Sequence, residues 1–314
     1  MKRFLTLFLA LILIATIALS ASAATADLSD ILMALKASYQ EKLQLTAFEE
    51  TFGMASMDWL RGRTAFYPES DGTAKTLSRR ILAYTATDSV PEVFPEGDEL
   101  LSLQEADGSF GDLITHCLSV LAMQSLKKSY NSAKAHDYIL NQQNEDGSFG
   151  DSIQQTALCI TVLSMQKNGV EQTAVSRGLE YLSEYRATTV TDLCWQMIGM
   201  TDAYNGDTVL KDTSRMETLL TYQTDSGSFS QTANSNETDA DTTALALLAI
   251  DAVNRDASAF KRLAQDGLMK QYSFEDFKPL FTLLAVLLAL AIAFWVYVFL
   301  HKKHDKTLEE TKKY

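Results

Sequence analysis

Cysteine is scarce in this chain. The 314 residues include only Cys117, Cys159 and Cys194. A small, odd number argues against a fold held together by a disulfide framework, which normally needs an even set of cysteines. All three lie in apolar stretches predicted to be helical, where a cysteine behaves as a small hydrophobic residue. We therefore expect buried, reduced thiols.

Positive charge is also scarce. The whole chain carries −13, and residues 1–23 and 301–314 contribute +2 each, which leaves −17 for residues 24–300. Nucleic-acid binding requires a basic face, so we expect no nucleic-acid partner. A solvated acidic surface that keeps the domain soluble accounts for this charge without any ligand.

Several motifs of enzymes and metal sites are missing. The chain has no Gly-x-Ser-x-Gly segment and no glycine-rich phosphate-binding loop, so no standard nucleophile is predicted. A calcium loop starting at Gln142 is disfavoured, because position 153 is isoleucine where an EF-hand closes with glutamate. The repeated acidic residues are therefore interpreted as turn residues, namely Asp107, Asp112, Asp146 and Asp151.

One repeated motif organises the chain. Its core, Gln-x-x-x-Gly-Ser-Phe, occurs at Gln104, Gly108 and Phe110, at Gln143, Gly147 and Phe149, and at Gln223, Gly227 and Phe229. The phenylalanines lie 39 and 80 residues apart. A degenerate unit with a matching helical lead-in, Arg177–Leu182, fills the wider gap. The spacing indicates repeats of about 40 residues.

Each repeat is predicted to be helix, loop, helix. The motif lies between apolar runs such as Ala157–Leu163, which are too long and too poor in turn residues to be strands. In the loop, glycine permits a tight turn, while Asp and Ser can bond nearby backbone amides. One such unit cannot bury its apolar face alone, so neighbouring repeats must stack.

Between about residues 50 and 255, these repeats resemble the α/α-toroid superfamily of squalene and terpene cyclases and protein prenyltransferases. The motif of that superfamily runs Gln, a short spacer and Gly-x-Trp, and this chain has Phe for Trp in every copy. The resemblance implies an all-α fold whose helical hairpins form an α/α toroid or an open arc. It also implies that the helices after the loops form an inner ring. The thioester motif Gly-Cys-Gly-Glu-Gln of complement-type members is absent.

Both ends of the chain carry long apolar runs. Residues 1–23 begin with Met-Lys-Arg and end with Ser-Ala-Ser-Ala, which is typical of a cleaved secretory signal. Pro279–Leu300 is 22 residues without a charge, followed by His-Lys-Lys-His. This pattern predicts a C-terminal transmembrane helix with a cytoplasmic tail. We expect a single-pass cell-membrane protein with an extracytoplasmic N-terminal domain, and the resemblance favours a bacterial cell surface.

The predicted order of segments is a signal peptide (1–23), an N-terminal helical cap with a diverged repeat (24–97), the repeats (98–254), a juxtamembrane spacer (255–278), the transmembrane helix (279–300) and the tail (301–314). In the cap, Asp27–Leu45 is predicted to be an amphipathic helix. Glu69–Gly72 is predicted to be a turn between helices. Pro91–Gly97 contains two prolines and is predicted to be a loop.

The segment from Asp239 to Ala244 resembles the Asp-x-Asp-Asp-Thr-Ala motif with which squalene–hopene type cyclases protonate an alkene. The resemblance implies that Asp241 is the acid and that Asp239 stands beside it. The chain departs from the motif at Thr242, where the family has Asp. Alternatively, this segment supplies a helix N-cap and favourable negative charge in the first turn.

The segment Asp192–Gln196 is similar to the Asp-x-Cys segment of prenyltransferase β-subunits, where a downstream histidine completes a zinc site. The similarity implies that Asp192 and Cys194 are zinc ligands. The histidines that follow lie beyond the predicted span, so the third ligand could come only from the upstream His116. A buried cysteine and a capping aspartate form the alternative, and no cofactor is expected.

Three functions remain open from the sequence. A non-catalytic binding module would take a protein, a peptide or a small apolar ligand on its concave face or loop rim. This hypothesis is favoured because an intact structural motif stands beside incomplete catalytic ones. A terpene cyclase or prenyltransferase-like enzyme would act on isoprenoid or other lipid substrates, in a deep aromatic cavity open at Asp241. A subunit of a membrane complex would use Trp295 and the lysine-rich tail as contacts.

Overall fold

A computed structural model describes residues 31, 47–57, 60, 67–87, 89–204 and 213–266. This part of the chain is all-α, and β-type pairing within it is limited to isolated bridges. Its helices are α1 (Phe48–Ser56), α2 (Ala74–Thr85), α3 (Val90–Ser102), α4 (Leu113–Ser125), α5 (Ser132–Leu140), α6 (Ile153–Ser164), α7 (Gly169–Glu184), α8 (Val190–Tyr204), α9 (Thr213–Leu220), α10 (Ala240–Arg255) and α11 (Ala259–Asp266).

Polar side chains define where most of these helices begin. In six helices, the residue before the first turn accepts a hydrogen bond from the backbone N–H three positions later, and these residues are Thr73, Asp112, Asn131, Ser152, Asn168 and Asp239. Such caps satisfy an N–H group that has no partner inside the helix. They fix where each loop ends and the next helix starts.

Six helices form a continuous series of neighbours, and we call them the inner helices. α2 packs on α4, α4 on α6, α6 on α8 and α8 on α10. α10 then packs on α1, and α1 packs on α2, so the series returns to its start. Most residues of α4, α6 and α10 are buried, because these helices contact neighbours on several sides.

The helices between them, α3, α5, α7 and α9, are the outer helices. Each packs on one or two inner helices. They are buried on one face only; in α7, for example, Glu171, Ala174, Val175, Gly178 and Leu182 are the buried positions. This spacing of three to four residues is the pattern of an amphipathic helix. Because one outer helix separates each inner helix from the next between α2 and α10, these inner helices run in the same direction.

The last described helix, α11, departs from the alternation. Asp256 takes a left-handed conformation with φ of 56° and ends α10. The chain then turns back, and α11 packs mainly on α4 and also on α6 and α10. These three helices are not consecutive in the inner series, so α11 lies across it.

The predicted loop at Pro91–Gly97 is wrong, because these residues belong to α3. Pro91 is in the first turn, where its missing N–H has no partner in any helix. Pro95 lies inside the helix and removes one further hydrogen bond, and the burial of Val93 and Leu100 against the core offsets that loss. The turn predicted at Glu69–Gly72 is confirmed, since these residues precede α2 without helical structure.

Several predictions fall on residues that the structure does not describe. They are the signal peptide, nearly all of the amphipathic helix at Asp27–Leu45, the transmembrane helix at 279–300 and the tail. Within the described residues, no helix has both the length and the apolar composition needed to cross a membrane.

Candidate functional site

The repeated motif forms three tight loops, which we call loop 1 (104–112), loop 2 (143–152) and loop 3 (223–239). The motif glycine has a positive φ in each, with values of 95°, 91° and 84° for Gly108, Gly147 and Gly227. An added Cβ on Gly147 would lie only 2.5 Å from the carbonyl oxygen of Arg177 in α7. Glycine is therefore needed both for the backbone conformation and for the close approach of the next outer helix.

The motif glutamine closes each loop. Its Nε2 donates to the carbonyl of the motif glycine at 3.0 Å in Gln104 and Gln143 and at 3.4 Å in Gln223. In the first two loops, the same Nε2 also donates to the next repeat, to the carbonyl oxygens of Asn131 and Ala174. The glutamine thus bonds its own loop to the following outer helix.

A basic side chain from the following outer helix completes this contact. Lys134 of α5, Arg177 of α7 and Arg215 of α9 donate to backbone carbonyls of the preceding repeat, at Ala106, at Asn144 and Glu145, and at Ser183. Sequence analysis missed these residues. The available signal was a Lys or Arg that follows Gln104 by 30 residues and Gln143 by 34.

The degenerate repeat replaces the missing motif with a different glutamine. Gln196 of α8 is buried, and its Nε2 donates to the carbonyl oxygens of Leu182 and Tyr185. This bond ties the end of α7 to the inner helix without a Gly-Ser-Phe loop. The loss of the motif near Val190 therefore does not interrupt the stacking of α6, α8 and α10.

The cyclase-like segment lies at the start of α10. Asp239 is the N-cap, and its Oδ1 accepts from the backbone N–H of Thr242 at 2.7 Å. Asp241 is exposed in the first turn. Thr243 is buried and accepts from the N–H of Phe229 at 2.8 Å. Thr156 makes the same bond with Phe149 in the preceding marked repeat. In both repeats, the threonine hydroxyl thus holds the backbone of the motif phenylalanine in place.

The three candidate zinc ligands occupy separate environments. Cys194 is fully buried in α8, and burial raises the pKa of its thiol far above the ordinary value. Asp192 lies in the first turn of α8, which Thr189 caps, and accepts from the hydroxyl of Tyr185. His116 lies in α4. Within the described residues, no three His, Cys, Asp or Glu side chains are close enough together to hold a metal.

His116 is a buried histidine with one bonded nitrogen. Its Nε2 lies 3.0 Å from the carbonyl oxygen of Ala135, while its Nδ1 is buried without a hydrogen-bond partner. Burial lowers the pKa of His116 to about 4. Burial also lowers the pKa of His136, although Glu171 opposes this shift. Both rings are therefore neutral near pH 7.

α11 places an aromatic side chain among the inner helices. The ring of Phe260 stacks on Phe52 of α1 with centroids 4.5 Å apart, and it lies 6.0 Å from the ring of Trp195 in α8. Phe48 adds a third aromatic contact. Phe260 therefore contacts aromatic side chains of α1 and α8, and it is only 1% exposed.

Polar groups bind both ends of α11, and those at its start are buried. Asp202 of α8 accepts from the backbone N–H and the hydroxyl of Ser258 and from the hydroxyl of Thr161. The ammonium group of Lys261 donates to the carbonyl oxygen of Asp202 at 2.8 Å. At the other end, Lys127 donates to the last carbonyls of α11. Sequence analysis missed this helix and treated Arg255 to Lys278 as a charged spacer.

The three loops share an acidic surface. They precede parallel inner helices, so they lie at one end of the domain, which we call the loop rim. Each loop and the helix start after it present three exposed carboxylates and no Lys or Arg: Glu105, Asp107 and Asp112; Glu145, Asp146 and Asp151; Asp225, Glu237 and Asp241. Some of these carboxylates serve the fold, since Asp107 and Asp146 accept from the N–H of Ser109 and Ser148.

Other rim carboxylates have no structural role. The side chains of Glu105, Glu145 and Glu237 are exposed and form no hydrogen bond or ion pair with another described residue. One such residue comes from each loop. The rim can therefore present negative charge to a ligand without any loss of loop structure.

Comparison with known proteins does not identify the chain, because no family model and no curated protein matches its sequence. Three features of the described residues bear on function. They are the clamped loops, meaning the motif loops that hydrogen bonds hold to the next outer helix, together with the helix α11 and the acidic loop rim.

Proposed function

We propose that the chain is an α/α toroid that acts as a non-catalytic binding module, held on the outer face of a membrane by the predicted helix at 279–300. The returning series of inner-helix contacts supports the toroid. The observation that carries the functional proposal is the position of Phe260, which fills the space between Phe52 and Trp195. A substrate in the centre of the ring would have to displace this side chain.

The candidate catalytic groups also favour a non-catalytic role. A general acid that protonates an alkene must be held in an apolar site, whereas Asp241 is exposed. A zinc site needs at least three ligands close together, whereas no such group of His, Cys, Asp and Glu side chains is found among the described residues. Asp239 and Thr243 are engaged in holding loop 3 and α10 together.

We infer that the ligand binds at the loop rim and is a cationic segment of a protein or peptide. Three loops supply carboxylates at one end, and the basic groups that bind loops 1 and 2, Lys134 and Arg177, donate to backbone carbonyls. Complementary charge raises the rate and the specificity of association. At this end, each of the three loops offers one exposed glutamate to a ligand, namely Glu105, Glu145 and Glu237.

A charge-neutralising variant tests the proposal. In Glu105→Gln/Glu145→Gln/Glu237→Gln, the loops keep all their described hydrogen bonds, and the rim loses three charges. We expect the variant to bind a fluorescent decalysine peptide roughly tenfold more weakly than the wild-type full chain at low salt. Fluorescence anisotropy measures this change, and high salt should abolish the difference.

The matched control removes the same charge from the outer helices. Glu92→Gln/Asp137→Asn/Glu180→Gln changes three exposed carboxylates of α3, α5 and α7. If binding depends on the rim, this control binds the peptide within about twofold of wild type. Equal weakening of both triple variants would mean that net charge alone attracts the peptide and would refute a rim site.

A further inference from the structure

Two of the three cysteines meet in the core. Cys117 of α4 and Cys159 of α6 are both 0% exposed, and their sulfur atoms lie 3.6 Å apart. α4 and α6 are neighbours in the inner series. Cys194 of α8 is equally buried but makes no such sulfur contact in the described structure. The pairing is thus specific to two cysteines that are far apart in sequence.

The two sulfur atoms are already neighbours in the folded chain, so a bond between them needs a closer approach rather than a new pairing of helices. A disulfide has sulfurs about 2.05 Å apart, so these sulfurs must approach by about 1.6 Å. Rotations of the two side chains, together with small shifts of the packed helices, can supply this approach. Leu118, Leu158 and Ile160, which adjoin the cysteines in sequence, are buried as well.

We propose that Cys117 and Cys159 form a disulfide that links α4 to α6 when the chain folds in an oxidising compartment. Each thiol loses its proton, and the pair loses two electrons as the sulfur–sulfur bond forms. An external disulfide, such as oxidised glutathione, takes up those electrons and protons and leaves as two thiols. Because both sulfurs are buried in the folded chain, the exchange takes place while α4 and α6 are still assembling.

The bond would act on the repeat array as a whole. It joins two positions that are 42 residues apart in the chain, and the segment between them contains α5, loop 2 and the start of α6. Such a closure restricts the unfolded chain. It also prevents α4 and α6 from separating, so the series of inner helices would come apart first at another pair. This inference does not depend on a ligand at the loop rim.

Thiol counting tests the bond directly. The full chain is reduced in denaturant, refolded in a mixture of reduced and oxidised glutathione, quenched with acid and alkylated in denaturant. Intact mass then gives the number of free thiols. We expect one free thiol in the wild type and none in Cys194→Ala. Digestion without reductant should yield a peptide pair joined through Cys117 and Cys159.

A variant that removes one partner provides the control. Cys159→Ala should show two free thiols after the same treatment, since Cys117 and Cys194 then lack a partner in contact. Three free thiols in the refolded wild type, or a bond that includes Cys194, would overturn the proposal. The wild-type count does not require any variant to fold, so it is decisive even if Cys159→Ala is unstable.

Discussion

The close contact between loop 2 and α7 can be tested with Gly147→Ala. Gly147 has φ of 91°, and its added Cβ would meet the carbonyl oxygen of Arg177 at 2.5 Å and the carbonyl carbon at 2.9 Å. Backbone atoms of a helix cannot rotate away as a side chain can. Loop 2 must therefore move off α7, and the hydrogen bonds between them must stretch or break.

The expected cost combines strain with lost bonds. An alanine in the left-handed region costs roughly 1–2 kcal/mol. The displaced loop loses the bond from Gln143 to the carbonyl of Ala174 and the three bonds from Arg177 to the loop. Each contributes about 0.5–1 kcal/mol, less where exposed. We expect a total loss of roughly 3–4 kcal/mol in the free energy of unfolding.

Urea denaturation of the purified full chain, followed by tryptophan fluorescence, measures this loss as a decrease of roughly 1–2 M in the midpoint. Gly169→Ala is the matched control, because its added Cβ would meet nothing within 4 Å, and its midpoint should stay within error of wild type. Gly72→Ala should fall between the two, since Gly72 has φ of 79° but faces only the flexible side chain of Glu99. Equal midpoints for Gly147→Ala and Gly169→Ala would refute the clamped-loop interpretation.

Three further changes probe other parts of the structure. Phe260→Ala should lower the free energy of unfolding by roughly 3–5 kcal/mol, as expected for a buried aromatic, whereas Val170→Ala, at a position that is 66% exposed, should change it by less than about 0.5 kcal/mol. Burial lowers the pKa of His116 to about 4. The contribution of the neutral ring to stability is therefore complete above pH 6.5 and decreases below that value, because the unfolded chain takes up a proton there. Between pH 7 and 4.5, thermal melts should show that the wild type loses roughly 2–3 kcal/mol more than His116→Gln. Asp239→Ala should cost about 1 kcal/mol through the lost N-cap, and Asp241→Ala should cost less in the same denaturation assay; the reverse order would contradict the capping role.

The turn at each copy of the motif could be predicted from the sequence, because its residues have a local role. Gly108 and Gly147 need a positive φ, and the motif glutamines need a nearby carbonyl, so these residue types recur at fixed spacing. The buried positions of Cys117, Cys159 and Cys194 are confirmed for the same reason, since they lie in nearly continuous apolar runs.

Other features depend on distant contacts and could not be predicted in this way. The helix α3 persists despite Pro95 because its apolar residues are buried against α2 and α4. The position of α11 depends on Asp202, which is 56 residues from Ser258, and no local pattern links the two. Asp239 lies at a helix start, where an N-cap and a catalytic acid share one residue type, so only its bond to Thr242 reveals the role it plays.

Hydrogen exchange of the full chain, with and without the decalysine peptide, tests the central claim that the ring is filled and the ligand binds at the rim. We predict that residues 258–266 are protected as strongly as α10 in the free chain and that the peptide leaves them unchanged. Loops 1, 2 and 3 should become more protected when the peptide binds. Rapid exchange at 258–266, or peptide-dependent changes there with none in the loops, would contradict the account.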